Sequence, residues 1–356
     1  MVSATIDTSA LRHNLSIVRQ RAPRSRVMAV IKANAYGHGL VAVAQALDSA
    51  DLFAVARVDE GLALRDAGIA NDILLLEGVF DAEQLSAAAA AGFELVVHTG
   101  EQIELLRAMP APARFKIWLK LDSGMNRLGF KAGEFSAAHA ALRGLTCVQQ
   151  PINLFTHLAS ADSPDLPTTA EQLAKFSAVT DGLPGERSIA NSAGMVGFPE
   201  AQVDWVRPGL LLYGVSPFAG LIGADHGLRP VMTLRSHVIA VKDLVVGEQV
   251  GYGGAWTAGR PTRLAIAAVG YGDGYPRNLA SGAPVLVNGE RAPLAGRVSM
   301  DMIGIDATDL QSVPKPGDPV ILWGEGLPVE EIAEWAETIP YELLCGISQR
   351  VAVDIV

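Results

Sequence analysis

Only two cysteines, Cys147 and Cys345, occur in 356 residues. They lie far apart and form no metal or redox motif, which excludes a disulfide framework, a zinc ribbon and a dithiol centre; no metal site is expected. Basic excess is also missing, with 28 Lys+Arg against 38 Asp+Glu and a formal net charge of −10. Nucleic acids and anionic membranes demand a positive face, so neither is expected as a partner. No apolar run reaches the length of a membrane span; the alanine-rich "SAAAAAGFELVV" is broken by Gly92 and Glu94. The opening "MVSATIDTSALRHNL" lacks the basic start and apolar stretch of a secretory signal. A soluble cytoplasmic protein with reduced thiols is expected.

What the chain does hold is core material, with 49% apolar and 19% charged residues, enough for two domains or one large barrel with an appendage. From residue 27 to about 210, short β-rich segments alternate with Ala/Leu-rich stretches whose apolar residues recur at helical spacing. The strand candidates are "VMAVI", "LFAVA", "ILLLE", "FELVVH", "FKIWLKLD", "INLFTH", "RSIAN" and "VDWVRP". Eight strands alternating with helices predict an α/β fold, a parallel (β/α)8 TIM-like barrel, with a doubly wound open sheet as the competing arrangement. After "LLYGVSPFAGL" the texture shifts to short alternating strands with Gly, Pro and "NGE" turn signals, which predicts a mostly antiparallel β domain. "PVEEIAEWAETIPYELLCGIS" adds one expected helix. The expected division is 1–225 for the barrel and 226–356 for the β domain.

Reactive side chains follow the expected strands directly. Lys32 follows the first, Arg57 the second, His98 the fourth, His157 the sixth, Asn191 and Ser192 the seventh, and Arg207 the eighth. In a closed barrel these strand ends converge on one face, where active sites of this architecture lie, although each residue singly also fits an ordinary loop. "VRPGLLLYG" places Arg207 and Gly209 where the chain leaves the last strand, and Ser192 of "IANSAG" supplies a hydroxyl nearby. The loops after strands seven and eight commonly cradle phosphate. In "AVIKANAYGHG" a buried apolar run ends at Lys32, either a snorkelling surface residue or a reactive amine. A lysine and a phosphate cradle on one face suggest a phosphorylated ligand held as a Schiff base: a sugar phosphate in an aldolase, or pyridoxal phosphate.

"AVIKANAYGHG" resembles the cofactor-lysine signature of the alanine racemase family, fold-type III pyridoxal phosphate enzymes. "LKLDSGMNRLGF", "FTHLASAD", "ANSAG", "RPGLLLYG", "VGYGGAW", "GYGDGYPR", "GRVSMDM" and "IPYELLC" recur in the family's order over essentially the whole chain. The resemblance implies a homodimer whose sites combine one subunit's barrel with the other's β domain. It implies that Lys32 binds pyridoxal 5′-phosphate covalently, with Tyr36, Ser192, Gly209, Leu210 and Tyr341 around the phosphate. Arg207 would face the pyridine nitrogen, supported by His157, and Arg127 would bind near the cofactor's phenolic oxygen and the substrate carboxylate. From the partner, Tyr252 would be the second catalytic base, with Tyr271 and Met300 holding substrate and Asp301 supporting them. Asp162, Arg277 and Arg297 would line the entry corridor, and Lys120 matches a lysine carbamylated in many members. Ser299 stands where some relatives have cysteine, with no expected loss of chemistry.

Racemisation of alanine requires a proton to be removed and returned on either face, hence two bases. The resemblance gives the D form's proton to Lys32 and the L form's to Tyr252. An arginine, unlike the aspartate common in pyridoxal phosphate enzymes, cannot accept the pyridine proton, which disfavours transamination. A barrel-only cofactor carrier is opposed by the β domain, and a basic amino acid decarboxylase by Arg207 and Tyr252. Whether the product serves cell-wall synthesis or alanine catabolism stays open.

Overall fold

The computed structural model describes residues 2–110 and 112–356. The chain starts with strand β1 (Ser3–Ile6) and a helix over Thr8–Arg21. Asp7 ends the strand and caps the helix, its Oδ1 accepting from Ser9 N (2.8 Å) and Ala10 N (3.1 Å). Eight parallel strands then close into a barrel: β2 (Arg26–Val30), β3 (Leu52–Val55), β4 (Ile73–Leu75), β5 (Glu94–Val97), β6 (Ile117–Lys120), β7 (Asn153–Phe155), β8 (Arg187–Asn191) and β9 (Trp205–Arg207). β9 pairs back onto β2 through Arg26↔Trp205 and Val27↔Val206, which decides for the barrel over the open sheet. All eight expected strands lie in it. Most are buried along their whole length, because helices cover the outside and side chains fill the inside.

The second unit is built on a 13-residue strand, β10 (Met232–Leu244). Around it lie β11 (Gln249–Val250), β12 (Trp256–Thr257), β13 (Thr262–Ala267), β14 (Pro284–Val287), β15 (Glu290–Pro293), β16 (Ile303–Asp306), β17 (Pro319–Trp323) and β18 (Ala352–Ile355). Its main sheet runs β15–β14–β17–β10–β1–β18, with β13 also on β10 and β16 on β13. All its pairings are antiparallel except β1 with β18. The β14–β15 turn is Asn288-Gly289, both at positive φ (51° and 83°), as the "NGE" signal predicts.

Two features differ from the sequence expectation. β1 belongs to the sheet of the β domain, although it lies at the start of the segment expected to form the barrel. Its short "SATI" carries too little pattern to name a partner more than two hundred residues away. The single helix expected after β17 is two, Val329–Trp335 and Pro340–Cys345. Glu337 turns left-handed (φ 50°), and Pro340 starts the second helix at a position that needs no N–H. That break aims the second helix at the barrel mouth. Among the described residues no helix is long and apolar enough to cross a membrane.

Candidate active site

Lys32 begins where β2 ends, and the chain behind it does something unusual. Ala33, Asn34, Ala35 and Tyr36 all adopt left-handed backbone, with φ between 53° and 54°. For alanine and tyrosine this costs about 1–2 kcal/mol each, and less for asparagine, so the surroundings must hold the turn. Ala35 N donates to Ile31 O (2.8 Å) and Gly37 N to Ala33 O (3.1 Å). Asn34 Oδ1 accepts from Leu40 N at 2.8 Å, and Ala33 N donates to Glu60 Oε1 at 2.6 Å. His38 sits beneath, buried, with Nδ1 3.0 Å from Ala35 O and 2.9 Å from Tyr36 O. Burial pushes its pKa down to about 4, so the ring stays neutral. It stacks on Tyr213 (centroids 4.5 Å apart), whose hydroxyl donates to Val30 O (3.1 Å).

Arg207 ends β9 and is buried. Nη1 donates to Ser188 Oγ (2.8 Å); Nη2 donates to Thr156 O (2.7 Å), Ile189 O (3.0 Å) and His157 Nδ1 (3.2 Å). Every one of these acceptors is neutral. Burial brings the guanidinium's pKa down to about 9, which leaves it cationic at neutral pH. His157 is held well below the usual imidazole range by burial and then by Arg207, which fits its role as acceptor. The Phe155 ring meets two basic groups, with Arg207 Cζ 4.0 Å and Lys120 Nζ 5.7 Å from its centroid. Lys120, at the end of β6, has its pKa lowered to about 7 by burial and then by Arg207, Arg127 and Lys32.

Ser192 Oγ accepts from Gly209 N (3.0 Å) and Leu211 N (3.4 Å), which orients the hydroxyl so that its own proton is free for a ligand. Asn191 holds the same corner through Oδ1 to Gly194 N (2.9 Å). Gly209 is required here, since a Cβ would lie 2.5 Å from Tyr36 Oη. Tyr341, from the second of the two late helices, packs 5.6 Å from Tyr36 and is pushed up to about 12 by burial and then by Asp162. These groups line one cavity of about 680 Å³, with Lys32, Lys120, Arg127 and Arg207 on its walls and, among the described residues, Glu77 the one acidic residue. The donor set suits a ligand bearing a phosphate and a carboxylate.

The structure therefore brings together Lys32, Tyr36, Lys120, Arg127, His157, Ser192, Arg207, Gly209 and Tyr341, with Leu210 buried behind and Asp162 near Tyr341. Arg57 and His98, also at strand ends, stay outside that cavity; His98 Nε2 is bound to Glu77 O at 2.9 Å. Tyr252, Tyr271, Arg277, Arg297, Met300 and Asp301 are exposed on the β domain instead, Tyr252 at 72%. Tyr271 N donates to Ser299 O and Gly272 N to Met300 O, and Arg350 joins Asp301 (2.7 Å) to Asp273 (3.4 Å) behind them. Sequence reasoning alone does not pick out Glu60, Phe155 or Tyr213. Glu60 leaves a trace, an acidic residue three positions after the one preceding its helix. The other two read simply as core.

Fold and site define a class: a (β/α)8-barrel enzyme with an appended β domain, carrying a lysine and anion-binding groups at its strand ends. Residues 6–217 match the family model "Alanine racemase, N-terminal domain" and residues 231–355 "Alanine racemase, C-terminal domain". The chain belongs to the alanine racemase family. It is 51% identical to alanine racemase of Aeromonas hydrophila over 357 residues, covering 99% of each chain. It is 52% identical to that of Shewanella baltica over 98% of each. Among solved structures it superposes on biosynthetic alanine racemase of Pseudomonas aeruginosa with a TM-score of 0.96 at 45% identity, covering 100% of this chain and 99% of that one. It superposes on alanine racemase of Bartonella henselae with covalently bound pyridoxal phosphate with a TM-score of 0.88 at 31% identity, covering 100% and 99%.

Proposed function

We propose that the enzyme interconverts L-alanine and D-alanine with pyridoxal 5′-phosphate on Lys32, exchanging the α-proton through two bases, Lys32 and Tyr252 of the partner subunit. Bound there, pyridoxal phosphate supplies the electron sink that makes an α-proton removable. The residues fit it: Ser192, the Gly209–Leu210 backbone, Tyr36 and Tyr341 suit the phosphate end, and Arg207, backed by His157, the pyridine end. The observation that carries the reading is Arg207 itself, hydrogen-bonded only to neutral acceptors. A buried cation that donates from both Nη atoms offers no acceptor for a pyridinium proton, which favours proton return to the substrate over transamination.

Lys32 takes or returns the proton on the D face, and Tyr252 of the partner subunit on the L face. Its exposure, on one β-domain surface with Tyr271 and Met300, suits a shared site in a homodimer. Arg127 binds the substrate carboxylate; Asp301, tied to Arg350, keeps the Met300 loop in place. Asp162 with the partner subunit's Arg277 and the partner subunit's Arg297 lines the entry corridor. Lys120, with its lowered pKa, is an amine able to take up carbon dioxide as a carbamate, and that anion would pair with Arg127. The free thiols of Cys147 and Cys345 suit a cytoplasmic setting.

The test is incubation with L- or D-alanine in D₂O, following α-deuteration by NMR and enantiomer ratio by chiral chromatography. Deuterated L and D forms in near-equal amounts are expected from either start. Exchange without inversion would remove the second base, and no exchange with pyridoxal phosphate bound would remove alanine as substrate.

A further inference from the structure

We propose that Glu60 is a positioning residue for Lys32: its carboxylate ties the first peptide after the lysine to the neighbouring βα loop and so holds the left-handed turn that aims the amine. The proposal deepens the reading of Lys32 as the cofactor-bearing base and rests on it.

Glu60 lies in the first turn of the helix Val58–Asp66, which follows β3. Its Oε2 accepts from Ala56 N (2.8 Å) and Arg57 N (3.3 Å), as a glutamate closing its own helix N-terminus does. The other oxygen leaves that helix. Oε1 accepts from Ala33 N at 2.6 Å, across from the loop after β3 to the loop after β2. One carboxylate thus bridges two adjacent strand-end loops, and Ala56 and Ala33 both line the cavity.

The place of this contact gives it its function. Ile31 N is fixed by β-pairing to Ala54 O (3.0 Å), one residue before Lys32; Ala33 N is fixed by Glu60, one residue after. Lys32 is clamped on both sides onto β3 and its loop. Ala33 is also the first of the four left-handed residues, and its N–H has no earlier carbonyl in the turn to bond. Asn34 and His38 hold the later part of the turn and Ala35 N closes it onto Ile31 O, so Glu60 is the side chain that fixes the first peptide at its entry. Gln keeps the volume, but its NH₂ cannot accept, so one arm of the bridge must be lost.

The test uses the full-length enzyme as wild type, E60Q and E60A, by hydrogen exchange with mass spectrometry and by pyridoxal phosphate titration. In the titration, borohydride reduction fixes the cofactor on lysine and the Lys32 peptide is weighed. Exchange across residues 31–37 is expected to rise about tenfold or more, the loss of a hydrogen bond to a charged acceptor. The cofactor concentration for half-labelling of Lys32 should rise by a similar factor, at unchanged exchange in distant barrel peptides. Faster exchange confined to 58–66 with unchanged labelling would show a helix cap alone and overturn the proposal, as would a uniform rise over all peptides. If E60A does not fold, E60M, which keeps the side-chain length and removes both acceptors, carries the test. Failure of wild-type Lys32 to take up cofactor would overturn the cofactor reading, whereas the exchange pattern tests the clamp separately.

Discussion

Replacing Arg207 by lysine keeps a nitrogen donor in the barrel and removes the guanidinium's fork. The guanidinium reaches Ser188 Oγ, Thr156 O, Ile189 O and His157 Nδ1 while lying 4.0 Å over Phe155. An ammonium has three N–H bonds on a single atom, so at least one of these buried acceptors loses its donor, at about 1–3 kcal/mol. Losing the guanidinium's cation–π contact with Phe155 adds roughly 0.5–1 kcal/mol. A total of about 1.5–4 kcal/mol corresponds, at about 2–4 °C per kcal/mol for a domain of this size, to a melting point lower by roughly 3–16 °C. Calorimetry reads that shift. Kinetics supplies a second readout: a buried lysine loses its proton far more readily than an arginine, and the neutral amine would accept a hydrogen bond from a pyridine nitrogen that keeps its proton. R207K should therefore release pyruvate during turnover, at the expense of racemisation. Melting within about 1 °C of wild type would refute the hydrogen-bond argument. Absence of pyruvate would refute the link between this guanidinium and reaction fidelity.

Three further outcomes are expected. K32A and Y252F should each be inactive as homodimers, and subunit exchange between them should restore about a quarter of wild-type activity, because the mixed dimer holds one intact site; no restoration would place both bases in the same chain's site. G209A should weaken pyridoxal phosphate binding by about 5- to 150-fold, since the new Cβ falls 2.5 Å from Tyr36 Oη and overpacking costs about 1–3 kcal/mol; an unchanged titration would refute the cradle. Lys120 has a folded pKa of about 7 against an ordinary 10.5. Below about pH 7 it is charged in both states and its burial penalty is complete, whereas between about 7 and 10.5 only the unfolded chain keeps the proton. In carbon dioxide-free buffer, stability should thus rise with pH across that window, by up to about 1.4 kcal/mol per unit; urea melts of K120M should lack that rise.

The barrel was legible because its information is local. Eight apolar runs spaced by helical stretches state how many layers are buried, and each run carries that statement within a few residues. Lys32, Ser192 and Arg207 could be placed on one face for the same reason, since a strand's C-terminal end is defined by its own sequence and closure brings all such ends together. Tyr341 joins them because a local break at Glu337 and Pro340 turns its helix towards the barrel mouth, which a continuous helical pattern conceals. What only the tertiary structure decided are the relations between distant segments. β1 pairs across the chain with β10 and β18. Phe155 meets both Lys120 and Arg207, and one carboxylate at Glu60 reaches the peptide behind Lys32. Four successive non-glycine residues turn left-handed although the propensities of Ala33, Ala35 and Tyr36 oppose it. Propensity and pattern report what a segment prefers in isolation; the turn at Lys32 exists because contacts from other segments outweigh that preference.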